Sequence, residues 1–150
     1  MAAAVLYGGF WRRVLAFIVD GLIVGAIMLP FGMGIGFAHL SSLLSDEMTP
    51  EAFGSFLMAS LFVWFLRVIV SWLYGAGFES SRFQATPGKM LLSLKVTDLE
   101  GRRITFLRAT GRALAKWVSG LILGIGYLVV AFNDRKQGLH DLLAGTLVRR

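Results

Sequence analysis

An apolar run near the N-terminus constrains the fold of this chain more than any other feature. From Val14 to Leu29 every side chain is apolar or absent except that of Asp20. A helix needs about 20 predominantly apolar residues to cross a bilayer, and a carboxylate at its centre costs about 3 kcal/mol or more. The run therefore predicts a membrane-spanning helix over about residues 10–30, in which Asp20 needs favourable surroundings. Arg13 lies two turns earlier on the same helix face and is one candidate partner.

The composition supports the same class of protein. Of the 150 residues, 56% are hydrophobic and 16% are charged, whereas soluble domains average about 45–50% and about 25%. The sequence thus predicts an all-α membrane protein that forms a single domain. The net charge is +6, but the basic residues flank the apolar runs, which favours orientation in a membrane over nucleic-acid binding. The absence of cysteine excludes disulfides and thiolate metal sites, and two histidines are too few for a histidine-based metal cluster.

A second apolar run predicts another membrane-spanning helix over about residues 53–74, with Thr49 and Pro50 at its start. Arg67 is the only charged residue within this run. Two interpretations of it remain open. Its long side chain either extends to the cytoplasmic headgroups or pairs with Asp20 across the helix interface.

The charges of the connecting segments predict the topology. Pro30 and the glycines that follow it are expected to end the first helix, and the loop over residues 31–52 contains acidic residues but no lysine or arginine. By the positive-inside rule this loop faces outward, whereas the basic loop over residues 75–112 is cytoplasmic. Alternating residues at 91–98 and a second short run at 103–106 predict a small β-hairpin in the cytoplasmic loop.

A third apolar segment, residues 113–132, is interrupted by three glycines. It is long enough for one crossing, but a crossing would place the basic C-terminal tail, residues 133–150, outside. We therefore favour a glycine-broken, re-entrant helical hairpin over a spanning one, with the tail in the cytoplasm. Residues 145–149 alternate and are expected to pair, as a third strand, with residues 92–97 of the hairpin, because an isolated two-stranded hairpin is only marginally stable.

Three motifs occur along the chain in a fixed order. They are Gly9-Phe10-Trp11-Arg12-Arg13 leading to Asp20, then Gln84-Ala85-Thr86-Pro87-Gly88-Lys89, and finally Gln137-Gly138-Leu139-His140-Asp141 with Ala144-Gly145-Thr146. Together they resemble the motifs of the RDD family of membrane proteins, which is named for one arginine and two aspartates. The resemblance covers nearly the whole chain. It implies that the arginine is Arg13, that the first aspartate is Asp20, and that the second is Asp141, with Asp134 as the competing assignment.

The resemblance implies a multi-pass protein of the prokaryotic inner (plasma) membrane that transports an undefined ligand. Some family members are described as sodium–proton antiporters. Burial favours the protonated form of a carboxylate, so Asp20 is a candidate for exchanging H⁺ against a small cation such as Na⁺. In the opposing interpretation, Asp20 pairs with an arginine or caps a broken helix and only fixes helix packing. The residues considered for ion or ligand binding are Arg13, Asp20, Arg67, Asp134, His140 and Asp141.

Two classes of function follow from these features. One is a small ion transporter, which we expect to be a homo-oligomer because two or three short spans cannot enclose a pathway alone. The other is a non-catalytic assembly or scaffold protein that docks a partner or anionic lipids through its basic cytoplasmic face. The sequence contains no nucleophile–base set, metal-ligand spacing or nucleotide-binding loop, so we expect neither enzymatic activity nor a cofactor. Asp141 is expected either to cap a short helical turn or to bind backbone N–H groups of the cytoplasmic hairpin.

Single-cysteine variants test the topology, because the chain has no cysteine of its own. A thiol at Ser45 is expected to react with a membrane-impermeant maleimide applied from outside. Thiols at Thr97 and Arg150 are expected to react only after the membrane has been permeabilised. External labelling at position 150 would contradict a cytoplasmic tail and would require a third complete crossing.

Overall fold

The computed structural model describes residues 6–45, 49–121, 130 and 135–150. The helices of this part of the chain are α1 (Phe10–Leu44), α2 (Pro50–Ser80), α3 (Pro87–Leu91), α4 (Phe106–Leu121) and α5 (Leu139–Ala144). Two short strands, β1 (Lys95–Asp98) and β2 (Thr146–Arg149), complete it. The chain is thus mostly helical, with a small antiparallel sheet.

Helices α1 and α2 are long and apolar enough to cross a membrane, as the sequence predicts. They contain 35 and 31 residues, which at 1.5 Å per residue gives lengths of about 50 Å and about 45 Å. Both exceed the bilayer hydrocarbon core of about 30 Å. Their large apolar side chains, such as those of Phe37 and Phe62, are mostly exposed, as expected for surfaces that contact lipid.

The first helix does not end where the sequence predicts. Helix α1 continues through Pro30 and the following glycines to Leu44, so most of the predicted 31–52 loop is helical as far as the structure describes it. A proline removes only one helical hydrogen bond, whereas an interrupted helix in an apolar surrounding leaves several backbone groups unpaired. The segment between Pro30 and Leu44 is largely apolar, and continuing the helix satisfies its backbone.

The start of α2 agrees with the prediction. The hydroxyl of Thr49 accepts a hydrogen bond from the backbone N–H of Ala52 at 3.1 Å, and Pro50 is the first helical residue. This is the expected N-cap arrangement, because a threonine oxygen satisfies one of the free N–H groups and proline needs no partner there. The helix extends to Ser80, six residues beyond the predicted end.

The described residues form two compact units. The apolar unit is Leu22–Ser71, in which the His39 ring stacks on Phe56 with the ring centroids 3.9 Å apart. The polar unit contains the chain up to Gly21 and from Trp72 onward. It includes the short helices, both strands and the buried charged residues described below.

The sheet of the polar unit joins β1 to β2. The strands are antiparallel, with Val96 opposite Val148, which confirms the predicted pairing of the C-terminal segment. The N-terminal segment adds one bridge, Tyr7 to Arg149. Val96 and Val148 are fully buried in a small apolar core together with Ala16 of α1, so the sheet packs on the first helix.

The predicted returning strand at residues 103–106 is wrong. Two local hydrogen-bond sets favour a turn and a helix there instead. The carboxylate of Asp98 accepts the backbone N–H groups of Glu100 at 3.0 Å and Arg102 at 2.7 Å, which closes a turn. The hydroxyl of Thr105 then accepts the N–H of Arg108 at 3.3 Å and caps α4. Because residues 103–106 do not form a strand, the pairing partner of β1 is β2, near the C-terminus.

Of the third apolar segment, residues 113–132, the structure describes 113–121 and 130. Its first part belongs to α4, which begins at Phe106 and continues to Leu121. The re-entrant arrangement therefore stays a prediction.

Candidate functional site

Asp20 of α1 lies against the segment that leads into α3. Its Oδ1 atom accepts hydrogen bonds from the hydroxyl of Tyr74 at 2.8 Å and from the backbone N–H of Gly88 at 2.8 Å. Its Oδ2 atom accepts a hydrogen bond from the hydroxyl of Thr86 at 2.5 Å. All three donors are uncharged. The carboxylate is thus held by hydrogen bonds rather than by a cation.

The local sequence explains how these donors reach Asp20. Thr86 precedes a proline and has extended backbone angles, φ −69° and ψ 157°, as residues before proline usually do. Its hydroxyl makes no cap to α3 and instead donates to Asp20. Gly88 allows the close approach, since a Cβ atom there would lie 2.9 Å from Asp20 Oδ1 and closer still to the carbonyl oxygen of Ala16.

Arg13 pairs with Asp141 and not with Asp20. Its Nη1 atom donates to Asp141 Oδ2, and its other donors bind the carbonyl oxygens of Gly8 at 2.9 Å and Lys136 at 2.5 Å. The two turns between Arg13 and Asp20 on one helix face do not bring them into a pair. Arg13 instead connects the start of α1 to the C-terminal part of the chain.

Asp141 is fully buried and binds several donors. Besides Arg13, the Nε atom of Arg112 lies 2.9 Å from its Oδ1 atom, and the Nε2 atom of His140 lies 3.5 Å from the same oxygen. Its Oδ2 atom also accepts the backbone N–H of Gly138, the residue that precedes α5, at 3.2 Å. Asp141 therefore caps the short helix from within its first turn and pairs with two arginines.

A second buried carboxylate, Glu79, extends this network at the end of α2. It pairs with Lys89, with Arg112 at 3.3 Å and with Lys116 at 3.5 Å. Arg112 thus bridges Glu79 and Asp141. We call Arg13, Glu79, Lys89, Arg112 and Asp141 the ionic cluster. Removing one member would leave another buried charge unpaired, which typically costs about 3–5 kcal/mol.

The protonation of the cluster follows from burial and from neighbouring charges. Burial alone would raise the pKa of Asp141, but Arg112 and Arg13 outweigh it and hold the pKa well below its usual range. Burial lowers the pKa of Lys89 to about 7, against the opposing effect of Glu79. Burial also lowers the pKa of His140 to about 3, with Asp141 opposing and Arg112 adding to the shift. His140 is therefore neutral at pH 7, and Asp141 is ionised.

The structure separates the residues that the sequence singled out. It brings Arg13, His140 and Asp141 together and places Asp20 in its own set of contacts. Arg67 is exposed on α2 in the apolar unit. Asp134, the competing second aspartate, lies outside the described residues.

Several members of the two sites were missed in the sequence. These are Tyr74, Glu79 and Arg112, whereas Thr86 and Lys89 stand in the second motif but were given no role. One signal was available, because Arg112 and Lys116 have the i, i+4 spacing that places two basic residues on one helix face. Both contact Glu79, the first carboxylate after the second apolar run. The contacts of Thr86 and Gly88 with Asp20 have no such signal, since they join segments more than 60 residues apart.

Comparison with known proteins assigns the family. Residues 7–145 match the RDD family. The chain belongs to the RDD family. It is 33% identical to the Bacillus subtilis protein YxaI, described as uncharacterized, over 93% of this chain and 95% of that protein. It is 30% identical to YteJ of the same organism, described as an uncharacterized membrane protein, over 95% of this chain and 80% of that protein.

A more distant relative is the proline-rich antigen of Mycobacterium leprae, which is 26% identical over 92% of this chain and 59% of that protein. No solved structure matches the chain. The two long apolar helices and the likeness to YteJ agree that this RDD-family chain is a membrane protein.

The buried His140 predicts a loss of stability in mild acid. Its pKa is about 3 in the folded protein, against 6.5 for an unperturbed histidine, so between these values the unfolded chain binds a proton that the folded chain does not. The free energy of unfolding should therefore fall as the pH drops from 6.5, by up to about 1.4 kcal/mol per pH unit. Asp141 adds to this loss of unfolding free energy only below its ordinary pKa of 3.8.

Chemical denaturation of the detergent-solubilised protein between pH 6.5 and 4.5 measures this effect. In His140→Gln the decline over that window should largely disappear, because glutamine does not titrate. An equally steep decline in His140→Gln would contradict the assignment.

Proposed function

We propose that this RDD-family protein is a transporter of the prokaryotic inner membrane that exchanges a small monovalent cation, such as Na⁺, for a proton at Asp20. The observation that carries the proposal is the set of neutral donors around Asp20. Within the residues that the structure describes, no basic side chain forms an ion pair with this carboxylate, because Arg13 is engaged by Asp141. Its negative charge is thus available to a proton or a cation.

The oxygen atoms around Asp20 suit a hard cation. The hydroxyl oxygen of Tyr74 lies 2.8 Å from Oδ1 of Asp20, and the hydroxyl oxygen of Thr86 lies 2.5 Å from Oδ2. A hydroxyl group keeps two lone pairs and a rotatable hydrogen, so each one is able to turn from donating to Asp20 to ligating a cation. Oxygen donors of this kind are typical ligands of hard cations. A single carboxylate supplies one negative charge, which matches a monovalent ion.

Competition for Asp20 couples the two ions. The protonated carboxyl is neutral and attracts no cation, whereas the ionised carboxylate binds one. Cation entry therefore releases the proton, and proton entry releases the cation. Polar groups of this kind inside membrane helices are costly and are retained mainly along ion and proton pathways.

The ionic cluster has a different role in this proposal. Its two carboxylates are matched by arginine and lysine side chains, and their charges are not available for exchange. Within the polar unit, the cluster joins α3, α4 and α5 to the start of α1 and the end of α2, and so positions the segment that contacts Asp20. Because two long helices cannot enclose a pathway alone, the proposal includes a homo-oligomer. No covalent chemistry is involved.

The substitution Asp20→Asn tests the proposal. The purified protein is reconstituted into liposomes that contain a pH-sensitive dye, and a Na⁺ gradient is imposed. Wild type should move protons against Na⁺, and Asp20→Asn should not, because an amide of the same size binds neither ion as a carboxylate does. Thr86→Val and Tyr74→Phe each remove one ligand and should raise the Na⁺ concentration for half-maximal flux by about fivefold, the equivalent of about one hydrogen bond.

Glu100→Gln is the matched control, since it makes the same carboxylate-to-amide change on an exposed turn residue and should leave the flux unchanged. Denaturation midpoints of all variants separate lost flux from lost folding. A wild-type protein without Na⁺-dependent proton flux would support the scaffold alternative. Full flux in Asp20→Asn would overturn the exchange site.

A further inference from the structure

Helices α4 and α5 are amphipathic with their polar faces inward. On α4, Arg112 is 1% exposed, whereas Leu107 and Leu114 are 81% and 61% exposed. On α5, Asp141 is 0% exposed and the neighbouring Leu143 is 66% exposed. A water-facing helix has the opposite arrangement. Contiguous exposed apolar surface marks a site of interaction with a membrane or a partner.

A groove runs between the two helices on this outward face. It is an open depression with a volume of about 380 Å³. Its lining consists of Thr105, Leu107, Arg108, Gly111, Leu143 and Ala144. Arg108 is exposed and is the charged residue of the lining. The groove thus combines one arginine side chain with an apolar lining.

We propose that this face of α4 and α5 binds the bilayer surface, and that the groove takes one anionic phospholipid. The negatively charged headgroup lies against Arg108, and the acyl chain follows Leu107 and Leu143. Charge complementarity favours this occupant over a second copy of the chain. The chain carries a net charge of +6, and a second copy would bring another Arg108 toward the first. Helices with exposed basic and apolar residues commonly lie in the membrane interface.

The tryptophan near the end of the described apolar face supports the same placement. Trp117 of α4 is half-exposed, and tryptophan is enriched where helices meet the headgroup region. The lysine one residue earlier, Lys116, points inward to Glu79. The buried side of α4 therefore serves the ionic cluster, while Leu107 and Leu114 on its outer side are exposed. This assignment does not depend on the ion exchange at Asp20.

A fluorophore on single-cysteine variants tests the site in the full-length, reconstituted protein. The fluorophore is attached at Leu114→Cys or at Leu143→Cys, with Glu100→Cys on the exposed turn as control. Lipids that carry a spin label on the acyl chain should quench the fluorescence of the label at positions 114 and 143 but not at position 100. At equal mole fraction, spin-labelled phosphatidylglycerol should quench position 143 about fivefold more effectively than phosphatidylcholine, the preference that one basic residue near an anionic surface provides.

The variant Arg108→Gln separates the headgroup contact from the apolar contact. In this background the preference for phosphatidylglycerol at position 143 should fall to about one, while quenching by both lipids persists. Absence of quenching at positions 114 and 143 would overturn the proposal, as would disulfide formation between copies of the unlabelled Leu114→Cys variant. Equal quenching by the two lipids without the Arg108→Gln change would overturn the anionic site. All readouts are independent of ion flux.

Discussion

The ion pair between Arg13 and Asp141 joins two parts of the chain that are 128 residues apart, and the polar unit is arranged around it. Arg112 links this pair to Glu79, and Glu79 in turn pairs with Lys89 of α3. Because an unpaired buried charge strongly destabilises the fold, each of these partners has to be in place. The cluster therefore fixes where α3 lies, and through Thr86 and Gly88 this position determines the surroundings of Asp20.

The sequence predicts the parts of this structure that depend on local patterns. Apolar length identifies α1 and α2, the Thr49-Pro50 pair marks the start of α2, and alternation identifies β1 and β2. The extension of α1 beyond Pro30 was missed because a lone proline is a weak stop where every alternative leaves backbone groups unpaired. The 103–106 strand was wrong because the Asp98 turn and the Thr105 cap favour a helix.

The sequence predicts some residues of the candidate sites, but not which of them contact each other. Arg13 and Asp20 lie in the first motif and Asp141 lies in the third, but helix periodicity relates residues within one element and suggests the pair Arg13–Asp20. The observed pairing crosses elements, so it depends on how α1, α3 and α5 pack. Once Arg13 is taken by Asp141, Asp20 is left with neutral donors. Asp141 is thus paired with arginine, whereas the carboxylate of Asp20 is available to bind a proton or a cation. The proposed ion exchange depends on this division of roles.

Double-mutant cycles on the free energy of unfolding test this division directly. The singles are Arg13→Gln, Asp20→Asn and Asp141→Asn, combined as the two doubles that contain Arg13→Gln. We predict that the double with Asp141→Asn loses about 1–3 kcal/mol less than the sum of its singles, since contacting partners are coupled. The double with Asp20→Asn should be additive to within about 0.5 kcal/mol. Coupling of Arg13 to Asp20, with additivity toward Asp141, would contradict this division of roles.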